Sequence, residues 1–280
     1  MSPRRPSCAL ALALSVAFGA GIASAQPAAP DAGASASTMP PPGVDWGSTV
    51  WRKTGPPGYF FSGFNSETEY DDPIANVQPP NPPPLTSAYK ARWDKLRQEA
   101  FAGANTFNIS SDCSLFGMPS VIALSSFELL FTPGRATMIY GGQGGLRRIF
   151  MDGRAHPAEI LELQYNGDSI GHWEGKTLVI DTVGLRTDTI IEPGLPHSDK
   201  LRVVERWTEV KPGVLEDEVT MTDPEVLTRP WKKVWTFGRV ARDQEQYEFL
   251  DFTCENNRSH MVDGKVVMIG PDGKPLTGGK

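Results

Sequence analysis

Three of the four histidines lie in one turn-rich stretch, residues 148–207, with strand-like runs between them. His156 stands immediately before Pro157, and His197 immediately after Pro196, so proline restricts the backbone at both imidazoles. An imidazole titrates close to neutral pH, and on a fixed turn it suits a general base or a metal ligand. A hydrogen-bonded turn residue is the alternative for each histidine.

Two carboxylates in the same stretch are predicted to face inward. In the run 201–210, Glu205 stands on the more apolar of the two alternating faces, between Val203 and Trp207. Asp181 shares its face with two valines. A carboxylate in such a place either has a raised pKa or is held ionised by a cation, and both states serve acid–base chemistry. Exposed ion pairs with arginines on neighbouring strands are the alternative. The predicted catalytic set is His156, His197, Glu205 and Asp181.

The sequence contains no compact metal or nucleotide motif. If a divalent metal binds, its predicted ligands are His156, His197 and Glu205, which would leave an open coordination position. Their spacing does not match HExxH, and GxSxG, P-loop and dinucleotide patterns are absent, which removes the commonest hydrolase, kinase and dehydrogenase classes. The cofactor is left open. His172, predicted at a hairpin tip, and His260, in the tail, rank below the other two histidines.

Aromatic residues are numerous in the second half of the chain and suit a cavity that stacks against an aromatic or sugar-like ligand. Ordinary core packing is the alternative. The predicted ligand-binding residues are Trp173, Trp207, Trp231, Trp235 and Arg154.

The elements that must position these residues are mainly strands. One helix is predicted over 87–102, with Thr86 as its cap and Gly103 after its end. Period-two runs separated by Gly, Pro or Asp predict an antiparallel meander that closes into a calycin-like barrel, since closure removes exposed strand edges. The predicted strands are 128–131, 136–140, 147–151, 177–183, 201–210, 214–222, 231–237 and 247–254.

The N-terminal residues predict export. Two arginines precede an apolar run, and Ala23-Ser24-Ala25 fits a cleavage site, so residues 1–25 are predicted to be a signal peptide. We predict a disordered leader over 26–44, an extended Pro- and aromatic-rich segment that docks by its aromatic side chains over 45–84, a helix plus β-barrel domain over 85–262, and a flexible tail over 263–280. The expected location is the periplasm or the medium.

Charge indicates the class of partner. Removing residues 1–25 takes away two of the 27 basic residues and none of the 33 acidic ones, which leaves a net charge of about −8. This balance argues against nucleic acid and anionic membranes. No segment has the length of a membrane span. The expected partner is a small-molecule ligand or substrate, and the oligomeric state is left open. The Arg147-Arg148 pair is interpreted as a solvated strand end.

Two cysteines, Cys113 and Cys254, remain after export. An oxidising compartment favours a disulfide between them, and two separate thiols are the alternative. The absence of a CxxC pair argues against redox catalysis and a thiolate zinc site.

Five segments resemble the successive motifs of a large family of secreted bacterial proteins without a settled activity. They are RIFMDGRAHP (148–157), GDSIGHWEGKTLVIDTVG (167–184), PHSDKLRVVER (196–206), DPEVLTRPW (223–231) and CENNR (254–258). The resemblance implies a β-rich domain similar to calycin or lipocalin-type barrels. Both cysteines fall within recurring segments of the family, which agrees with the disulfide.

This chain departs from the family pattern at two positions. Related sequences often have a histidine where Asp168 stands and an arginine where His172 stands. The resemblance therefore favours His156 and His197 as the shared histidine pair.

Three functions follow as hypotheses. The first is an exported enzyme that uses acid–base chemistry, with or without a metal, to eliminate, isomerise or hydrolyse a polar-aromatic or carbohydrate compound. The second is a non-catalytic, lipocalin-like ligand-binding protein. The third is an envelope interaction protein that makes contact through the Pro-rich segment 79–84.

Overall fold

The computed structural model describes residues 38–47, 49–54, 82–101, 115–189, 191, 195–245, 259–262 and 265–268. The predicted signal peptide, most of the extended segment, the predicted strand 247–254, and both Cys113 and Cys254 lie outside these residues.

Nine strands form one closed barrel, which confirms the predicted fold class. They are β1 (Val50–Thr54), β2 (Phe127–Thr132), β3 (Arg135–Tyr140), β4 (Leu146–Phe150), β5 (Asp168–Glu174), β6 (Thr177–Val183), β7 (Arg202–Lys211), β8 (Val214–Thr222) and β9 (Trp231–Arg239). Helix α1 (Ser87–Phe101) lies between β1 and β2 in the chain, and a second short helix, α2 (Ser120–Leu124), was not predicted. Near the C-terminus, β10 (Ser259–Val262) pairs with β11 (Lys265–Met268) as an antiparallel hairpin.

Neighbours in sequence are neighbours in the barrel, and β1 pairs with β9 to close it. Each pair is antiparallel except β4 with β5, which run parallel. A parallel pair needs a connection that returns along the barrel. Residues 151–167 make this connection and are called the crossover loop below.

Two of the nine barrel strands were not predicted, and both have a sequence reason. β1 reads VWRKT, in which two cations obscure the alternation, and it lies in the segment predicted to be merely extended. β5 reads DSIGHWE, and its glycine suggested a turn. In the structure Gly171 is needed inside the strand, because a Cβ there would lie 2.8 Å from both Ile149 Cγ2 and Met151 Sδ. His172 is therefore a strand residue, three positions before the hairpin turn that begins at Gly175.

The barrel interior is filled by side chains of alternating strand positions. The rings of Phe127, Trp207 and Phe237 meet with centroids 5.2–5.3 Å apart, and all three side chains are fully buried. Aromatic contacts of this geometry add to the burial of large apolar areas. The middle of the barrel is thus a packed core.

The two ends of the barrel differ. At the end that carries the turns 133–134, 175–176 and 212–213, Trp46 and Trp51 from the N-terminal segment are buried against the strands. Trp51 is itself a residue of β1, and most of the segment 45–84 that was predicted to dock lies outside the described residues. The opposite end is covered by α2, by the described residues between 185 and 201, and by the loop 223–230, and buried residues such as Ile122 and Leu195 lie there. Among the described residues, no helix combines the length and apolar character needed to cross a membrane.

Candidate functional site

The four predicted catalytic residues lie in three separate places, so their predicted convergence on one hollow is wrong. Glu205 is inside the barrel, whereas Asp181 and His156 meet on its outer face. His197 is buried among the loops that cover one end. Because the barrel wall separates His156 from Glu205, the predicted metal ligands His156, His197 and Glu205 cannot share an ion. The described residues contain no cluster of three His, Cys, Asp or Glu side chains that could hold a metal.

Glu205 faces inward as predicted, and its partner is Arg147 on β4. The guanidinium donates to both carboxylate oxygens, with Nη1 3.0 Å from Oε1. Trp207 Nε1 donates to the same Oε1 at 3.1 Å. Both charged side chains have no exposed surface. The interpretation of Arg147 as a solvated strand end is therefore wrong, because its strand position points into the barrel while Arg148 points out.

Arg147 also links several strands. Its Nε donates to Ser169 Oγ on β5 at 3.1 Å, and Nη2 donates to Thr182 Oγ1 on β6 at 2.7 Å. With Glu205 on β7, one guanidinium bonds three consecutive neighbouring strands from inside. A buried charge is tolerated when its donors are satisfied in this way. The group holds the barrel together and has no exposed reactive atom.

Asp217 is a second buried carboxyl in the interior, and the sequence analysis missed it. It pairs with Trp207 in the β7–β8 ladder, and neither carboxylate oxygen has a hydrogen-bond partner among the described residues. Burial, followed by the negative charge of Glu205, raises the pKa of Asp217 well above its ordinary value. Alternation in VLEDEVTMT places Asp217 with Leu215 and Val219, so this inward carboxyl could have been found from sequence.

His197 is a structural residue. Its Nδ1 lies 2.8 Å from the backbone oxygen of Ser198, so Nδ1 carries the proton and donates. Its Nε2 lies 2.8 Å from Thr189 Oγ1, and when the ring is neutral the one hydroxyl hydrogen serves either this nitrogen or the backbone oxygen of Arg186, also 2.8 Å away. Burial lowers the pKa of His197, which favours that neutral ring. Both nitrogens are occupied, so a general-base role for His197 has no structural support.

His156 lies on the crossover loop against the outer faces of β5 and β6. Its Nδ1 is 2.6 Å from Asp168 Oδ1, and its Nε2 is 3.7 Å from Asp181 Oδ2. Only 18 % of its side chain is exposed. The interaction with Asp181, opposed by partial burial and supported by Asp168, raises the pKa of His156. An imidazole flanked by two carboxylates is held as an imidazolium.

Asp181 points outward, which corrects the prediction that it faces the interior. Its two oxygens accept from Arg202 on β7, with Nε 2.8 Å from Oδ1. Burial alone would raise the pKa of Asp181, but the hydrogen bonds from Arg202 and the nearby His156 imidazole lower it to about 2. Asp168 and Arg202 complete this outer cluster and were not predicted as site residues.

Three of the predicted ligand-binding tryptophans are core residues. Trp207 and Trp231 are fully buried and Trp235 nearly so. Arg154 is exposed on the crossover loop, where it stacks on Phe150 with its guanidinium carbon 3.9 Å from the ring centroid. Arg154 also forms an ion pair with Asp152, so its side chain is engaged locally.

Trp173 differs from the other tryptophans because it lies at the end of the barrel. Its ring centroid is 5.3 Å from that of Trp46 and 5.8 Å from that of Phe131. Trp46 Nε1 donates to Glu209 Oε2 at 3.3 Å. The Trp173 indole N–H is buried and has no hydrogen-bond partner among the described residues. These four residues, Trp46, Phe131, Trp173 and Glu209, are called the aromatic mouth below.

Lys233 is a further titratable residue that the sequence analysis did not consider. It shares the inward parity of Trp231 and Trp235 on β9, and its Nζ lies 4.5 Å from the Trp231 ring centroid. Burial, together with the positive charge of Lys53, lowers the pKa of Lys233 to about 7. The pattern WKKVW, with a lysine between two inward tryptophans, is the sequence signal for this position.

No protein-family model, curated protein or solved structure matches this chain. The resemblance to a family of secreted bacterial proteins therefore stays a prediction. The closed barrel is consistent with a calycin-like architecture.

Three minor predictions remain. His172 is exposed on β5, with Nε2 3.2 Å from Glu174 Oε1, and it contacts none of the groups above in the described structure. His260 lies on β10. The disulfide between Cys113 and Cys254 stays a prediction.

Proposed function

We propose that this protein is a non-catalytic, exported ligand-binding barrel that takes a compact polar-aromatic or sugar-like molecule at the aromatic mouth. The observation that supports it is the buried, unpartnered N–H of Trp173 beneath Trp46. A buried donor without an acceptor is costly, and a ligand oxygen or nitrogen at this point would satisfy it.

The mouth offers the mixture of groups that small-molecule sites use. Trp173 and Phe131 supply flat apolar faces, Trp173 supplies a donor, and Glu209 supplies an acceptor. Trp46 fills this place in the structure, so a ligand must displace its indole. Trp46 lies on a segment that precedes β1, and displacing its indole requires local rearrangement near the Gly47–Leu129 bridge and the hydrogen bond from Trp51 Nε1 to the Trp46 carbonyl.

The acid–base alternative has weaker support. His156 and Asp168 form the kind of contact that orients a general base, at 2.6 Å. However, the remaining nitrogen, Nε2, is buried and directed at Asp181, and the cluster is neutralised by Arg202. Glu205 and His197 are too far inside the fold to assist. A binding function therefore fits the geometry better than catalysis.

Replacing Trp173 with phenylalanine is the test of the mouth. The change keeps an aromatic ring but removes the N–H donor. Loss of one hydrogen bond of ~1–1.5 kcal/mol to the bound molecule corresponds to roughly five- to tenfold weaker binding. Native mass spectrometry of protein purified from a bacterial periplasm measures retained small molecules, and tryptophan fluorescence titration with 4-nitrophenol measures affinity for a polar-aromatic probe.

The matched control is Trp235→Phe, because Trp235 is a core indole on β9 at a distance from the mouth. We expect this control to bind the probe and retain molecules as the wild type does. Equal loss in both variants, or no loss in Trp173→Phe, would contradict the proposed site. Chemical conversion of a retained compound that depends on His156 would instead favour the enzyme.

A further inference from the structure

Few backbone pairs join β4 to β5, and this junction of the two parallel strands is called the seam below. Only two residue pairs join these fully described strands, Ile149 with Ser169 and Phe150 with Ile170. The neighbouring β5–β6 ladder runs over the full length of both strands. The β1–β2 ladder also has two residue pairs, and short ladders such as these open more readily than long ones, because fewer hydrogen bonds must break there.

Side chains reinforce this seam on both sides of the barrel wall. From inside, Arg147 on β4 bonds to Ser169 on β5, as described above. From outside, the crossover loop passes over β5 and β6 and connects the two strands of the seam. The loop's backbone is tied at its ends, where the amide of Met151 donates to Gly134 and that of Gln164 to Gly184, each at 2.9 Å.

Between these ends, no backbone hydrogen bond joins residues 152–163 to the barrel within the described part of the chain. Most of these residues are exposed. His156 is the residue in this stretch that forms ion pairs with the strands, through Asp168 on β5 and Asp181 on β6. The imidazole is thus the ionic anchor of the exposed part of the loop, beside the stacking of Arg154 on Phe150 of β4.

We propose that protonated His156 is a pH-sensitive clamp, which holds the crossover loop on the barrel and keeps the β4–β5 seam closed, and which loosens when the imidazole loses its proton. The imidazolium carries an N–H on both nitrogens: Nδ1–H hydrogen-bonds Asp168, and Nε2–H faces Asp181 at 3.7 Å, an ion-pair distance too long for a hydrogen bond. A neutral ring has one N–H and no charge, so one of the two carboxylates then faces a bare nitrogen lone pair.

Charged groups on each element packed against His156 determine how strongly its protonated form is held. Asp168 faces it from β5 and Asp181 from β6, while Arg202 on β7 pairs with Asp181. On the loop itself, Arg154 is engaged with Asp152. With His156 protonated, two cations balance two carboxylates in the cluster of His156, Asp168, Asp181 and Arg202. Loss of the proton leaves one net negative charge beneath the loop.

The direction of the pH effect follows from the raised pKa of His156. The stabilisation is complete below the ordinary histidine value of about 6.5 and is lost as pH rises through the higher value of the folded protein. The crossover loop is therefore expected to loosen as the pH rises above neutrality.

Amide hydrogen exchange at pH 6 and pH 9, expressed as protection factors corrected for intrinsic rates, tests the clamp in the full chain. In the wild type, protection of residues 151–170 is expected to fall severalfold from pH 6 to pH 9 as the imidazole loses its proton. In His156→Gln, protection of this segment is low at both pH values. Protection of β7 and β8 serves as the measure of global folding.

The matched control is His172→Gln, because His172 is on β5 and also lies beside a carboxylate, but is exposed and off the loop. In this variant, protection of residues 151–170 is expected to fall between pH 6 and pH 9 as it does in the wild type. Asp168→Asn retains the shape of the side chain without its charge. We expect it to reduce the change in protection of residues 151–170 between pH 6 and pH 9. If His156→Gln does not fold, Asp168→Asn takes its place in the test. A wild-type segment whose protection is independent of pH, or a change lost in His172→Gln, would overturn the clamp.

Discussion

Replacing Arg147 with methionine is expected to lower the free energy of unfolding by about 3–5 kcal/mol, the effect of removing one partner from a buried ion pair. Methionine fills much of the same volume, but Glu205 is then left without its cation inside the barrel. Ser169 and Thr182 also lose a donor. Because whole domains are stable by only about 5–15 kcal/mol, the variant is expected to be near its folding limit.

Urea unfolding at pH 7 measures this effect, and the neighbour Arg148 provides the control. Arg148 is exposed on the same strand, so Arg148→Met should change stability by no more than about 0.5 kcal/mol. The double variant Arg147→Met with Glu205→Met removes both charges, and it should recover part of the loss. Equal stability of the Arg147 and Arg148 variants would show that the interior ion pair has no structural role.

The second large effect is expected at Asp217, where replacement by asparagine should flatten the dependence of stability on pH. Burial and the charge of Glu205 raise the pKa of Asp217 in the folded protein, so folding binds a proton that the unfolded chain releases. That stability is fully present below the unfolded value of about 3.9 and is lost, by up to ~1.4 kcal/mol per pH unit, as pH rises toward the folded value.

Asparagine has nearly the same shape and does not ionise, so Asp217→Asn should gain stability relative to the wild type as pH rises from 5 to 8. Urea unfolding across this pH range measures the difference in free energy of unfolding between the two proteins. The contributions of the other titrating groups are nearly the same in both proteins and largely cancel in this difference. Glu216→Gln, on the outer face next to Asp217, is the control and should leave the wild-type slope unchanged. A constant difference between wild type and Asp217→Asn would mean that Asp217 is ionised in the folded protein.

The sequence predicted strand faces well where one face is clearly more apolar. In β7 the alternation placed Glu205 with Val203 and Trp207, and all three are buried inside the barrel. The prediction failed for β6, in which Leu178, Val179 and Ile180 are consecutive buried residues. The crossover loop lies against the outer side of this strand, so both faces are apolar and alternation does not distinguish inside from outside.

For the candidate site residues, too, the sequence predicted some positions correctly and others wrongly. Trp173 was predicted as a ligand-binding residue and lies at the barrel mouth, but Trp207, Trp231 and Trp235 are core residues of similar local pattern. Periodicity states on which face of a strand a residue lies, whereas its depth along the barrel depends on the packing of distant segments. The contribution of Trp46 to the mouth depends on such a distant segment and could not have been derived from the strand pattern.

By itself, the amino-acid sequence determined the barrel class, most strand positions and the inward orientation of Glu205, because these depend on a local period of two residues. The tertiary structure decided which charges meet. Arg147 and Glu205 are 58 residues apart in sequence, and His156 meets Asp181 only because β4 and β5 are parallel and the chain must cross the outer wall between them. Ion pairing depends on distances of a few ångströms between separate strands, and register and crossover geometry set those distances.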